Sequence, residues 1–270
     1  MSEINNKQKG DNNTQIGEQT NIESLTVVNT GLSATEATKI AIDLFHENFP
    51  KLQQEAQKII ESRIEEFCNE TVKKIVAKKG NDFSAFADPD MQYCLIEAQK
   101  DYARFGTTEL RNSLANLIAT RAIYDKDFKV KVVIDKAIQV AKYLTENELD
   151  LLSIIFYAKH VKFEYIDKSE NKLELLKERL DVFSQFFSNA DKGDFGILSN
   201  FDCLQMLLGH SWEVLAKTYN MNKEEVKSIC PKLFLNVPAD YGLSYVGRVI
   251  AIMNVENKTG QTLSLETWLK

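Results

Sequence analysis

The run from Ser33 to Gly80 constrains this chain more than any other stretch. Ser33-Ala34-Thr35-Glu36 has the form of a capping box, in which a serine hydroxyl and a glutamate carboxylate each satisfy a free backbone NH at a helix start. Apolar residues then recur at spacings of three and four: Ala37, Ile40, Ala41, Leu44, Phe45, Phe49, Leu52, Ala56, Ile59, Ile60, Ile64, Phe67 and Ile75. Lys73, Lys74, Lys78 and Lys79 gather before Gly80, where the helix dipole favours cations. The pattern predicts a long helix over residues 32–80, broken or kinked near Pro50. The piece after Pro50 would be about 40 Å long at about 1.5 Å per residue, with a near-heptad stripe. Ile60, Ile64 and Phe67 on that stripe are candidates for an interface between chains.

Residues 1–31 differ in kind. Asn5, Asn6, Asn12, Asn13, Gln15, Gln19, Asn21 and Asn29 alternate with Thr and Gly, without proline or aromatic residues. This is a polar, β-prone leader that cannot build a core alone. After Gly80 helical signals return. Asp88 caps a helix with Pro89 at its first position, which Gly106 stops; further helices are expected over Thr108–Tyr124 and Val130–Tyr143. Thr145-Glu146-Asn147-Glu148 is a second capping box, stapled by Leu144 and Leu149. The fold class is therefore mainly α: a short β-prone leader, a long helix, a helical bundle over 81–144, and a helical part over 145–270.

Apolar residues make up 44% of the chain, too many for wholesale disorder. The 39 acidic against 33 basic residues give a net charge of −6, which disfavours nucleic acid as a partner over most of the surface. No apolar run reaches the roughly 18 residues of a membrane span, and the first ten residues are polar, so a cytoplasmic protein is expected. Cys68, Cys94, Cys203 and Cys230 contain no CxxC pair, and His46, His160 and His210 form no HExxH or Cys-His spacing. Glycine-rich phosphate loops are absent from the sequence as well. No catalytic, cofactor-binding or metal-ligating residue is assigned, and no cofactor is expected.

Two local patterns point to interaction. In the leader, Gly10-Asp11-Asn12-Asn13-Thr14-Gln15-Ile16-Gly17 joins amide side chains that can ladder along stacked strands with an isoleucine for a dry contact. Its Gln15-Ile16-Gly17 core resembles the RIP homotypic interaction motif and related bacterial amyloid-signalling segments, with Thr14 where that motif usually has Ile or Val. The resemblance implies self-association through Gln15, Ile16, Gly17, Ile22, Leu25 and Val27, and a setting in bacterial immunity or anti-phage defence, with another defence protein as a further partner. Gly10-Asp11-Asn12, Gly31-Leu32-Ser33, Phe86-Ala87-Asp88-Pro89-Asp90-Met91-Gln92-Tyr93 and Leu263-Ser264-Leu265-Glu266-Thr267-Trp268 also look like an uncharacterised bacterial helical family with a polar leader, which implies no activity.

Leu215 to Val226 has the spacing of a helix-turn-helix, with small Ala216 at the helix approach and Val226 beneath the second helix. Together with Leu243-Ser244-Tyr245-Val246-Gly247-Arg248 it is similar to the end of a winged-helix domain. Glu224 and Glu225 stand where a recognition helix would need cations or amides, so packing or protein binding is favoured over reading DNA. The expected function is that of a non-enzymatic, self-associating protein whose main partner is itself. The alternatives are a helix-turn-helix transcription regulator and an enzyme with an unrecognised site.

Overall fold

The computed structural model describes residues 34–124, 126–206, 211–229 and 241–269, and they are mainly helical. The chain divides into two units, Met1–Gln54 and Glu55–Lys270. Helix α1 (Ala34–Lys79) starts where the Ser33 box places it and ends at Gly80, whose positive φ of 69° and NH bond to the Val76 carbonyl close the last turn. Its helical assignment runs through Pro50 without interruption, so the helix is not broken there.

The second unit continues with α2 (Pro89–Phe105), α3 (Thr108–Ile123), α4 (Phe128–Ala141) and α5 (Glu146–Lys159). Local chemistry sets each boundary. The Asp88 carboxylate accepts from the NH groups of Asp90 and Met91 ahead of α2, and Gly106 ends that helix at φ 65°. Thr107 caps α3 through the Leu110 NH. Asp127 caps α4, which begins two residues earlier than the periodicity suggests. The Thr145–Glu148 box forms as expected at α5, and its staple residues Leu144 and Leu149 are buried.

Then follow α6 (Glu164–Asp167), α7 (Lys172–Phe186), α8 (Phe195–Asn200), β1 (Leu204–Met206), α9 (Ser211–Tyr219), α10 (Lys223–Ile229), β2 (Tyr241–Leu243) and α11 (Tyr245–Thr259). Strands β1 and β2 pair antiparallel, Leu204 opposite Leu243 and Met206 opposite Tyr241. The pair is anchored by the Ser244 NH on the Cys203 carbonyl, 3.0 Å, and by the Ser244 hydroxyl on the Asp202 carbonyl, 2.5 Å. Gly247, in the first turn of α11, lets that helix approach so closely that a Cβ there would collide with the Cys203 carbonyl oxygen.

Helices α3 and α11 form the centre. α3 is buried on every side, and α11 packs against α3, α4 and α5. Residues 81–144 and 145–270, separate blocks by sequence, thus share one core. Polar groups clasp it from within. Asn116 Nδ2 on α3 donates to Glu256 Oε2 on α11, 3.1 Å, and Lys78 on α1 reaches the same oxygen at 2.6 Å. Buried Asp150 on α5 accepts from Asn254 and Lys258 on α11 at 3.1 and 2.7 Å. Fully buried Arg121 on α3 is held by Asp135 of α4 and Asp90 of α2 at 2.8 and 2.6 Å. A second, smaller cluster of Ile166, Leu176, Ala216, Tyr219 and Val226 joins α6 and α7 to α9 and α10.

Candidate functional site

The candidate self-association residues of the leader, Gln15, Ile16, Gly17, Ile22, Leu25 and Val27, lie outside the described residues. The candidates on α1 separate by depth. Phe67, Thr71 and Ile75 succeed one another at four-residue steps and are all buried; the Phe67 ring lies 5.9 Å from that of Tyr102. Phe67 is therefore corrected from an interface residue to a residue of the chain's own core, because α2 covers it. Beside this stripe Lys74 donates to Asn257 at 3.0 Å, and Tyr102 donates to Glu66 at 3.1 Å. Seven residues before Phe67, on nearly the same side of the helix, Ile60 is 45% exposed. Ile59 is likewise exposed, and Ile64 is half-buried. A face that forms core in its later turns continues bare in the turns before.

The helix-turn-helix expectation is met locally. α9 and α10 are joined by Asn220, Met221 and Asn222, with Asn220 at φ 48° and the Met221 NH on the Ala216 carbonyl at 2.9 Å. Asn222 caps α10 through the Glu224 NH at 3.0 Å. Ala216, Tyr219 and Val226 fill the angle between the helices, and the Tyr219 hydroxyl accepts from the Phe163 NH. Flanked by β1 and β2, the pair follows the strand, helix, helix, strand order of a winged helix. Its charge does not suit a phosphate backbone. Glu224 and Glu225 are exposed at the head of α10, and Lys223 is paired with Glu213 at 3.4 Å. A groove of about 650 Å³ beside the turn is lined by Glu170, Glu174, Lys177, Asn220, Asn222 and Glu225.

Of the cysteines and histidines, Cys230 and His210 lie outside the described residues. Burial pushes the Cys94 thiol up to about 12, reinforced by the Asp135 carboxylate, and burial does the same for Cys203. His160 packs by Phe156 at the end of α5; burial, then the positive charges of Arg248 and Lys159, lower it to about 4. Its Nε2 has no hydrogen-bond partner among the described residues. Among the described residues no group of three or more His, Cys, Asp or Glu is arranged to hold a metal, and no helix is long and apolar enough to cross a membrane.

One surface escapes the sequence patterns. Phe128, first residue of α4, is 75% exposed, and Val132 one turn on is 48% exposed. The signal that could have located it is Asp127, whose carboxylate starts the helix one residue earlier.

Residues 31–242, which take in the whole of α1 and the helix-turn-helix, match the model of an uncharacterised family. No curated protein matches, and no solved structure does.

Proposed function

We propose, from the premise that the chain belongs to the uncharacterised family matched over residues 31–242, that it is a self-associating protein without a reaction of its own. It assembles through leader residues 11–29 and the long helix α1. The observation that carries this is the bare Ile59 and Ile60 on a helix whose following turns bury Phe67, Thr71 and Ile75. Apolar surface held out on a long helix is stabilised when another chain covers it. The setting in bacterial immunity or anti-phage defence rests on the resemblance of Gln15-Ile16-Gly17 to amyloid-signalling segments. Light scattering on the full chain tests the function: the mass should rise with concentration, and Ile16→Asp or Ile59→Asp with Ile60→Asp should lower it while the circular dichroism of the body is retained. Unchanged mass in both variants would refute it.

The strand, helix, helix, strand order around α9 and α10 favours a second use, a transcription regulator. Its charge weighs against it. Titration against genomic and random duplexes near physiological salt decides: tight, sequence-selective binding lost on Lys223→Glu with Lys227→Glu would replace self-association by DNA regulation.

A further inference from the structure

The start of α4, the start of α11 and the turn Leu265–Thr267 surround a hollow of about 530 Å³, within the range of roughly 300–1,000 Å³ that small-molecule sites occupy. Val130, Val133 and Leu269 give it apolar walls, and the Tyr245 ring adds an aromatic one. Those walls are tied to one another. The Arg248 guanidinium lies 5.1 Å from the centre of the Tyr245 ring and donates to the Trp268 carbonyl at 3.0 Å, so it joins the α11 side to the C-terminal side. Leu265 is 1% exposed and anchors the turn, its carbonyl accepting from the Trp268 and Leu269 NH groups at 2.9 and 3.0 Å. The hollow is therefore preformed, which spares a ligand the cost of ordering it.

Three charged side chains line the same hollow: Asp127, Lys129 and Glu266. Most of its polar groups are uncommitted. Among the described residues nothing pairs with the Lys129 ammonium, the Glu266 carboxylate or the Tyr245 hydroxyl. One Asp127 oxygen accepts from the NH groups of Lys129 and Val130, which leaves the other. A ligand would break no bond within the chain to reach them. Charges of both signs select its class, because a plain anion meets two carboxylates and a plain cation meets an ammonium, so that each is attracted and repelled at once. A small molecule that itself carries both signs, next to an apolar body, answers the whole lining.

We propose that this hollow binds a free α-amino acid with an apolar side chain. Glu266 and Asp127 take its ammonium, Lys129 and the Tyr245 hydroxyl take its carboxylate, and Val130, Val133 and Leu269 receive the side chain. Arg248 acts as a positioning residue, holding Tyr245 and the C-terminal turn in place. The inference goes beyond the self-association proposed above and does not depend on it. An apolar residue at the N-terminus of a peptide offers the same ammonium and side chain without the adjacent carboxylate, so a dipeptide separates the two sources.

Isothermal titration of the full chain with L-leucine and L-phenylalanine tests the site, with the amide and the N-acetyl derivative of each, and the dipeptide Leu-Gly, alongside. At least one of the two amino acids should bind at one site per chain, and blocking either charged end should weaken it about tenfold or more. Glu266→Gln should weaken the amino acid by a similar factor yet leave the weaker binding of its N-acetyl derivative unchanged, since that derivative has no ammonium to lose. Lys129→Gln should likewise leave the amide unchanged. Both positions are exposed, and circular dichroism checks that each variant folds. No binding of either amino acid at millimolar concentration overturns the proposal. An amide or N-acetyl derivative that binds as tightly as its parent does so as well, since the hollow would then take a simple amine or a simple acid. Leu-Gly binding more tightly than leucine would assign the hollow to peptide ends and overturn it too. Binding of the amino acid that both substitutions leave unchanged would place it elsewhere on the chain, with the same consequence.

Discussion

Phe67 and Ile60 stand two helical turns apart on one side of α1, and truncating them should have opposite consequences. Phe67 is fully buried against Tyr102, so Phe67→Ala opens a cavity in the body. Such truncations cost about 3–5 kcal/mol, which for a unit of this size corresponds to a fall of about 6–20 °C in melting temperature. Ile60 is 45% exposed and lacks most of that packing. Ile60→Ala should stay within about 1 kcal/mol of wild type and instead lower the mass of the assembly. Urea unfolding followed by circular dichroism gives the first quantity, and light scattering at matched concentration gives the second. The division of α1 into a core half and an interaction half would be refuted if Ile60→Ala destabilised the chain as much as Phe67→Ala, or if Phe67→Ala kept full stability.

Three further expectations follow from the packing. Asp150→Ala should cost about 1–3 kcal/mol, since it leaves buried Asn254 and half-buried Lys258 one partner short while Ser153 and Glu146 still meet them; a cost below about 0.5 kcal/mol in urea unfolding would show that this clasp is not needed. Gly247→Ala should destabilise by about 1–3 kcal/mol, because the new methyl meets the Cys203 backbone and α11 must withdraw from β1. For His160 the folded value of about 4 lies below the ordinary 6.5, so the unfolded chain takes up the proton first. The stability that neutral His160 secures is complete above about pH 6.5, declines as pH falls toward 4, and amounts to about 3 kcal/mol. Denaturant curves from pH 7 to pH 4 should show this decline, and His160→Gln should remove its share of the slope.

Where a boundary is decided within one helical turn, the sequence discloses it. Asp88-Pro89, Gly106 and the Thr145–Glu148 box each act on backbone groups two to four residues away, and all fall where expected. Asp127 is equally local, but the exposed ring of Phe128 disturbs the amphipathic pattern behind it and hides the start of α4. Periodicity found the side of α1 that carries Phe67, yet a stripe does not say which neighbour covers it; Tyr102, thirty-five residues on, decides that. Asn116 with Glu256 and Asp150 with Asn254 are more distant still, and nothing local distinguishes these polar residues from solvated ones. The pairing of β1 with β2 has no local signal either, because the helix-turn-helix lies between the two strands in sequence.

Those distant polar pairs also join helices that lie far apart in sequence. Lys78 ties the later turns of α1 to Glu256 on α11; the same carboxylate meets Asn116 on α3; five residues along α3, Arg121 holds Asp135 on α4. Buried charge-assisted bonds are directional and costly to break, so this chain of contacts fixes α4 relative to residues 66–79 of α1 more tightly than apolar packing alone.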